Sequence, residues 1–335
     1  MEKFKVYVTD YEYASLDEEK TELEKIGAKL IPQQCKTEEE IMQHCADADG
    51  LLNQYAPITR KVMKALPHLK VICRYGVGVN TIDLDAATEF GICVLNVPDY
   101  GVDEVSNHAF ALLIACARKL TLLHQQVQSK GWDYKISKPI YRLSGQKLGL
   151  LGFGRIAKAL AKKAQAFNLK LLVYDPFVKE SDAALLGAKL LSLEEVLTEA
   201  DFISVHVPLS KETYHMLGEK EFGMMKNTAI IINTSRGPLI DEAALSKALA
   251  HKQLAGAGLD VTEEEPLATS SPLLGQSNVI ITPHVAWYSE QAEIDLKTKA
   301  AQGIADVLAG YYPAALVNQE VSPKQTLVKA PARRS

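Results

Sequence analysis

The chain lacks the features that mark a membrane, secreted or nucleic-acid-binding protein. No apolar run approaches the roughly 20 residues needed to cross a bilayer. The first residues, Met1 to Val6, lead straight into a strand pattern with no signal peptide, so the expected location is the cytoplasm. Five cysteines (35, 45, 73, 93 and 116) form no CxxC pair and never cluster with histidine at ligand spacing. That excludes a disulfide framework and a zinc site, and reads as reduced, buried thiols. Neither sign of charge dominates: 37 Lys and Arg stand against 41 Asp and Glu, a net charge of −4. There is no electrostatic reason to expect a nucleic acid or an anionic membrane as partner. No short-period repeat is visible either.

What is present is a long alternation of strands and helices. With 335 residues, 47% of them hydrophobic, the chain is too long for one ordinary core, and two domains are expected. Short apolar runs at 5–9, 29–31, 50–53, 70–73 and 92–95 alternate with helical patterns at 17–26, 37–46, 59–66 and 83–90. A longer helical pattern covers 104–128. A second series of runs follows at 147–151, 171–174, 202–205, 229–232, 258–261 and 279–282, with helical patterns between most of them. Such alternation predicts parallel sheets with helices on both faces. A last helix is predicted from about Ser289 to Ala309. The chain crossings fall near 97–103 and 286–290. One domain is therefore expected to combine 1–100 with 290–320, and the other to span 101–289. Residues 321–335 lack periodicity and read as a mobile tail.

The motifs sit at predicted strand ends. Gly152-Phe153-Gly154-Arg155-Ile156-Ala157 follows one strand and opens a helix. The first glycine allows a tight turn, the second lets the backbone approach a pyrophosphate, and Ala157 permits close packing of helix on strand. The helix start adds N–H groups and a positive dipole end, and Arg155 a full charge. Asp175, at the end of the next strand, can accept hydrogen bonds from a ribose diol and repels a 2′-phosphate, which favours NAD over NADP. Arg236, between Asn233-Thr234-Ser235 and Gly237, can hold a carboxylate with a planar fork and polarise a neighbouring carbonyl. A charge-assisted bond of that kind contributes about 1.5–3 kcal/mol. His284, behind Pro283, has the acidity for proton transfer to a developing alkoxide. Glu265 can fix its tautomer and favour its protonated form. Glu263 and Glu264 compete for that role. Asp260 can serve the cofactor or cap the turn after its strand. His206, with Pro208 and Thr213 in the loop behind it, can meet a cofactor or merely close a strand end.

In these motifs, and in their order and spacing from about residue 5 to 318, the chain resembles the D-2-hydroxyacid dehydrogenase family. The run Ala286-Trp287-Tyr288-Ser289-Glu290-Gln291 resembles most the branch with the C-terminal-binding-protein corepressors and their bacterial enzyme relatives. The resemblance implies two doubly wound α/β domains with a cleft between them: a Rossmann cofactor domain at 101–289 and a flavodoxin-like substrate domain. It implies Arg236, Glu265 and His284 as the catalytic set. It places the nicotinamide side of NAD at Asp260, and further cofactor contacts at His206, Pro208, Thr213, Thr234, Ser235, Arg236 and His284. It puts the substrate carboxylate on the loop carrying Arg74, Val77 and Gly78, with Tyr55 beside it and Trp287 closing the other side. It also implies a homodimer through the 104–128 helix region. The expected reaction is hydride transfer between NAD(H) and a small 2-keto or 2-hydroxy acid. The alternatives are a glyoxylate/hydroxypyruvate- or 3-phosphoglycerate-specific member of the family, and an NAD-responsive corepressor-like binding module. No C-terminal regulatory domain of the kind many 3-phosphoglycerate dehydrogenases carry is expected. The formate-oxidising branch usually has glutamine where Glu265 stands.

Overall fold

A computed structural model describes residues 3–329. The chain divides into two compact units, one made of the residues up to Gly101 together with those from Ser289 onward, the other Val102–Tyr288.

The first unit is built on β1 (Phe4–Val8), α1 (Asp17–Glu24), β2 (Ala28–Pro32), α2 (Glu38–His44), β3 (Gly50–Asn53), α3 (Arg60–Ala65), β4 (Val71–Arg74), α4 (Leu84–Glu89) and β5 (Cys93–Leu95). All pairings are parallel, in the order β2-β1-β3-β4-β5, which is the flavodoxin-like order. The central strands β3 and β4 are apolar runs because helices cover both faces. Local chemistry sets the helix starts. Thr37 and Glu40 form a reciprocal capping box, and Asp83 caps α4.

The second unit contains α5 (Val102–Arg118), α6 (Leu120–Gln128), β6 (Lys147–Leu151), α7 (Arg155–Ala166), β7 (Lys170–Tyr174), α8 (Glu180–Ala184), β8 (Ala188–Leu190), α9 (Leu193–Glu199), β9 (Phe202–Val205), α10 (Glu219–Met224), β10 (Ile230–Asn233), α11 (Glu242–Ala250), β11 (Gly256–Leu259) and β12 (Val279–Ile281). Its seven parallel strands run β12-β11-β10-β9-β6-β7-β8. Strand order reverses at β6/β9, as in a Rossmann sheet, and ligands of such sheets bind beyond the carboxyl ends at that point. One core packs Leu113, Leu150, Phe153, Ala157 and Leu160 on one face of the sheet. The other face carries Val196, Leu197, Ile231 and Leu245.

The chain returns to the first unit with α12 (Glu290–Leu308), capped by Ser289, whose hydroxyl accepts the Ala292 N–H at 3.0 Å. Buried Lys297 on this helix reaches Glu18 Oε2 of α1 at 2.5 Å.

Three expectations are corrected. The helical stretch 104–128 is two helices, broken at Lys119, which takes a left-handed φ of 52°. The edge strand β8 is an addition, three residues long with an exposed central lysine. The segment 321–329 is not a loose tail: Lys324 N–H bonds Gly91 O at 3.0 Å, its Nζ bonds Leu69 O at 2.8 Å, and Val328 pairs with Tyr311. Within it, Val321 and Leu327 are buried. The remainder of that stretch, 330–335, lies outside the described residues.

Candidate active site

The motif residues of the second unit gather at the carboxyl ends of its strands. Gly152, directly after β6, has a φ of 88°, and a Cβ there would stand 2.9 Å from the His206 backbone. The turn therefore requires glycine. Gly154 is the N-cap of α7, and no side chain caps this helix. A Cβ on Gly154 would meet nothing within 4 Å. Open space in front of uncapped helical N–H groups fits a pyrophosphate. Phe153 is buried, Ile156 half-buried and Arg155 exposed. The Phe153 N–H donates to Asp175 Oδ2 at 2.8 Å and the Phe177 N–H to Oδ1 at 2.9 Å. The backbone thus fixes the carboxylate just after β7, with no ion-pair partner among the described residues.

Behind β9, the His206 ring bonds Ser204 Oγ at 2.8 Å. Burial pushes its pKa down to about 4, so the ring is neutral. Thr213 donates to Pro208 O at 2.7 Å and accepts from the Ser210 N–H at 2.8 Å, which closes that loop. Behind β10, Asn233 braces the next turn, donating to Arg236 O and accepting from the Ser235 N–H. Ser235 donates to Val207 O at 2.9 Å. Thr234 is 9% exposed and its hydroxyl has no partner among the described residues. A buried hydroxyl left this way is suited to a ligand's polar atom, which is a second observation that fits a dinucleotide here.

His284 Nδ1 stands 2.7 Å from Glu265 Oε2. A carboxylate only accepts, so Nδ1 carries the hydrogen and Nε2 is the nitrogen left for chemistry. Glu265 Oε1 accepts the Thr262 N–H at 3.2 Å. Burial disfavours the charged form of Glu265. The His284 hydrogen bond and charge, the Thr262 N–H and the Arg236 guanidinium outweigh it and hold the carboxyl below its usual range. Arg236, Glu265 and His284 are thus one electrostatic group. Of the competing glutamates, Glu263 is engaged elsewhere, and Glu264 is exposed with only its backbone carbonyl bonded among the described residues. Glu263 Oε1 accepts the Glu242 N–H at 2.7 Å and faces His215 Nε2 at 3.1 Å. Glu264 O accepts the Thr262 hydroxyl. His215, Asp241 and Glu263 bring ligand-type atoms within 4.8 Å of one another. Asp241 meanwhile caps α11, so the cluster braces the loop that carries Glu265.

The Asp260 side chain, the candidate for the nicotinamide side of the cofactor, is 1% exposed. Its Oδ1 accepts the Thr282 hydroxyl at 2.5 Å and the Val285 N–H at 3.0 Å, and Oδ2 accepts the Ala286 N–H at 2.9 Å. It caps the turn that carries His284. Trp287, just beyond, stacks edge-on against Tyr288 at 5.6 Å.

The remaining predicted residues lie in the first unit, also at strand ends. Tyr55 follows β3, is 48% exposed, and its N–H donates to Asp10 Oδ2 at 2.6 Å. Arg74 ends β4, and its guanidinium lies over Gly76, where a Cβ would collide with it. Val77 is exposed and Gly78 half-buried.

Sequence reasoning left three contributors without a role. A Cβ on Gly237 would stand 1.9 Å from Thr262 O, so the Arg236 turn abuts the Glu265 loop. Thr282 and His108 join the Asp260 network. The Arg236-Gly237 adjacency was a local sign of the first. Nothing local marks His108.

The model of the D-isomer specific 2-hydroxyacid dehydrogenase NAD-binding domain matches residues 110–286. A glyoxylate reductase of Korarchaeum cryptofilum is 39% identical over 285 residues, covering 84% of this chain and 86% of that protein. A D-3-phosphoglycerate dehydrogenase of Methanocaldococcus jannaschii is 40% identical over 295 residues, 88% of this chain but 56% of that longer protein. The crystal structure of a D-lactate dehydrogenase from Aquifex aeolicus with NAD and lactic acid superposes with a TM-score of 0.83 at 29% identity, covering 91% of this chain and 96% of that one. The chain belongs to the D-isomer-specific 2-hydroxyacid dehydrogenase family and is an NAD-dependent oxidoreductase acting on the CH–OH group of its donor.

Proposed function

We propose that the protein reduces a small, unphosphorylated 2-keto acid to the D-2-hydroxy acid, and runs the reverse reaction when products accumulate. The observation that carries this reading is the 2.7 Å His284–Glu265 pair with Arg236 close enough to act on it. NAD(H), when bound, supplies or takes up the hydride. Its pyrophosphate is assigned to Gly152, Phe153, Gly154, Arg155 and Ile156, its ribose to Asp175, and its nicotinamide half to Thr234 and Ser235. His206, Pro208 and Thr213 shape the adenosine side. Arg236 grips the substrate carboxylate and polarises the carbonyl to be reduced. His284 delivers a proton from Nε2 to the developing alkoxide, and Glu265 keeps the ring oriented. In the oxidative direction Nε2 takes the proton back. The loop with Arg74, Val77 and Gly78, together with Tyr55, is assigned to the carboxylate, and Trp287 to the substrate side chain. Product analysis tests the reaction. NADH with a 2-keto acid is expected to yield the D enantiomer, and racemic or L product overturns the reading.

Asp175 has a bearing on cofactor choice. Its carboxylate is held by two backbone N–H groups, so a 2′-phosphate would meet an uncompensated negative charge. NADPH is expected to support turnover at least about tenfold less efficiently than NADH, a difference of about 1.4 kcal/mol. Comparable efficiency with both would contradict this.

We also propose a homodimer through the region around α6. Val127, Trp132, Tyr134 and Tyr141 are 47%, 90%, 67% and 54% exposed there, an apolar surface that association would cover. A monomer in sedimentation velocity at micromolar concentration would refute it.

A further inference from the structure

We propose that His108 and Thr282 are positioning residues for His284, acting through Asp260. The proposal rests on the reading of His284 as the proton donor. His108 lies on α5, which packs along β10, β11 and β12. Its Nε2 is 2.9 Å from Thr282 Oγ1 and 3.5 Å from Asp260 Oδ1. Thr282 Oγ1 stands 2.5 Å from the same Oδ1. Backbone N–H groups point at both Asp260 oxygens, so the carboxylate is the acceptor throughout. A threonine hydroxyl has one hydrogen. The direction of the chain follows: His108 Nε2–H donates to Thr282, and Thr282 O–H donates to Asp260.

Asp260 passes this support on to the catalytic turn. Its carboxylate holds the Val285 and Ala286 N–H groups, and its backbone carbonyl accepts the His284 N–H at 2.8 Å. The clasp has something to hold. His284 sits at φ 52°, in the left-handed region that non-glycine residues enter only when their surroundings enforce it. The His284 side chain is fixed by Glu265 and its backbone by Asp260. Removing the Thr282 hydroxyl strips a donor from a nearly fully buried carboxylate, and removing the His108 N–H takes away the bond that orients that hydroxyl. That carboxylate must then find compensation in the backbone it clasps.

The test compares Thr282→Val, which keeps the shape but loses the hydroxyl, with Thr282→Ser, which keeps the hydroxyl. Thr282→Val is expected to lower kcat for 2-keto acid reduction by about 10- to 100-fold, with the KM for NADH little changed. Thr282→Ser should restore most of kcat. His108→Ala should behave like Thr282→Val, and His108→Gln, which keeps an N–H donor, should recover part of the loss. A readout independent of turnover is the imidazole NMR signal of His284, assigned from its disappearance in His284→Ala. It is expected to shift in Thr282→Val and return in Thr282→Ser, with no substrate or cofactor present. An unmoved His284 signal in Thr282→Val overturns the proposal. So does an equal loss of kcat in Thr282→Val and Thr282→Ser. If the wild-type protein turns over no 2-keto acid, the functional reading fails, and the NMR comparison alone decides the positioning role.

Discussion

A His284→Ala protein is expected to bind NADH as the wild type does and to reduce 2-keto acids about 10²- to 10⁴-fold more slowly, the usual range for a lost general acid. The expectation follows from where the ring's bonds go. Glu265 occupies Nδ1, so proton transfer depends on Nε2, and alanine supplies no substitute. Neither the glycine turn nor the bonds that brace Asp175 involve His284, so dinucleotide binding has no reason to fail. Glu265→Gln is expected to lower kcat less than His284→Ala does, because glutamine can still accept from Nδ1. Steady-state kinetics, with NADH binding followed by fluorescence, checks both variants. Loss of NADH binding in His284→Ala, or a kcat in Glu265→Gln as low as in His284→Ala, would count against the assigned roles.

Gly237→Ala should be nearly as damaging, although the added methyl group bears no chemistry. The new Cβ would fall 1.9 Å from Thr262 O and 2.5 Å from Glu263 N. Both neighbours are backbone, so no side chain can rotate away. The cost is either strain of roughly 3 kcal/mol or a shift of the 262–265 loop. A shift moves Glu265 relative to His284 and Arg236 together, and a displacement near 1 Å is worth on the order of 100-fold in rate. A lower melting temperature with a strongly reduced kcat is the expected pair of results. An alanine variant with wild-type stability and wild-type kcat would show that this contact is not what holds the loop.

Much of this architecture was legible because parallel sheets covered on both faces leave plain apolar runs. β10, with its isoleucine run ending at the buried Asn233, is the clearest case. The motifs were legible for a related reason: they follow strands directly, and the ends of parallel strands are where such sheets bind ligands. Features resting on long-range or backbone contacts were not. The helix break at Lys119 has neither glycine nor proline to announce it. The segment 321–329 is held by backbone bonds to Gly91, Gly310 and Tyr312 that no periodicity encodes. Asp260 could be read either way until its neighbours were known, and the structure shows its carboxylate turned into the His284 turn. His108 meets Thr282 across 174 residues of sequence. Glu265 could be separated from Glu263 and Glu264 only once its bond to His284 was visible.

The most direct measurement is NADH consumption by the purified protein with glyoxylate, pyruvate, hydroxypyruvate, phosphohydroxypyruvate, 4-methylthio-2-oxobutyrate and phenylpyruvate, with His284→Ala as control. The account predicts clear turnover on at least one unphosphorylated 2-keto acid, abolished or nearly so in the control. An absence of turnover on all of them while NADH still binds would contradict it, and would instead favour a protein that senses the dinucleotide.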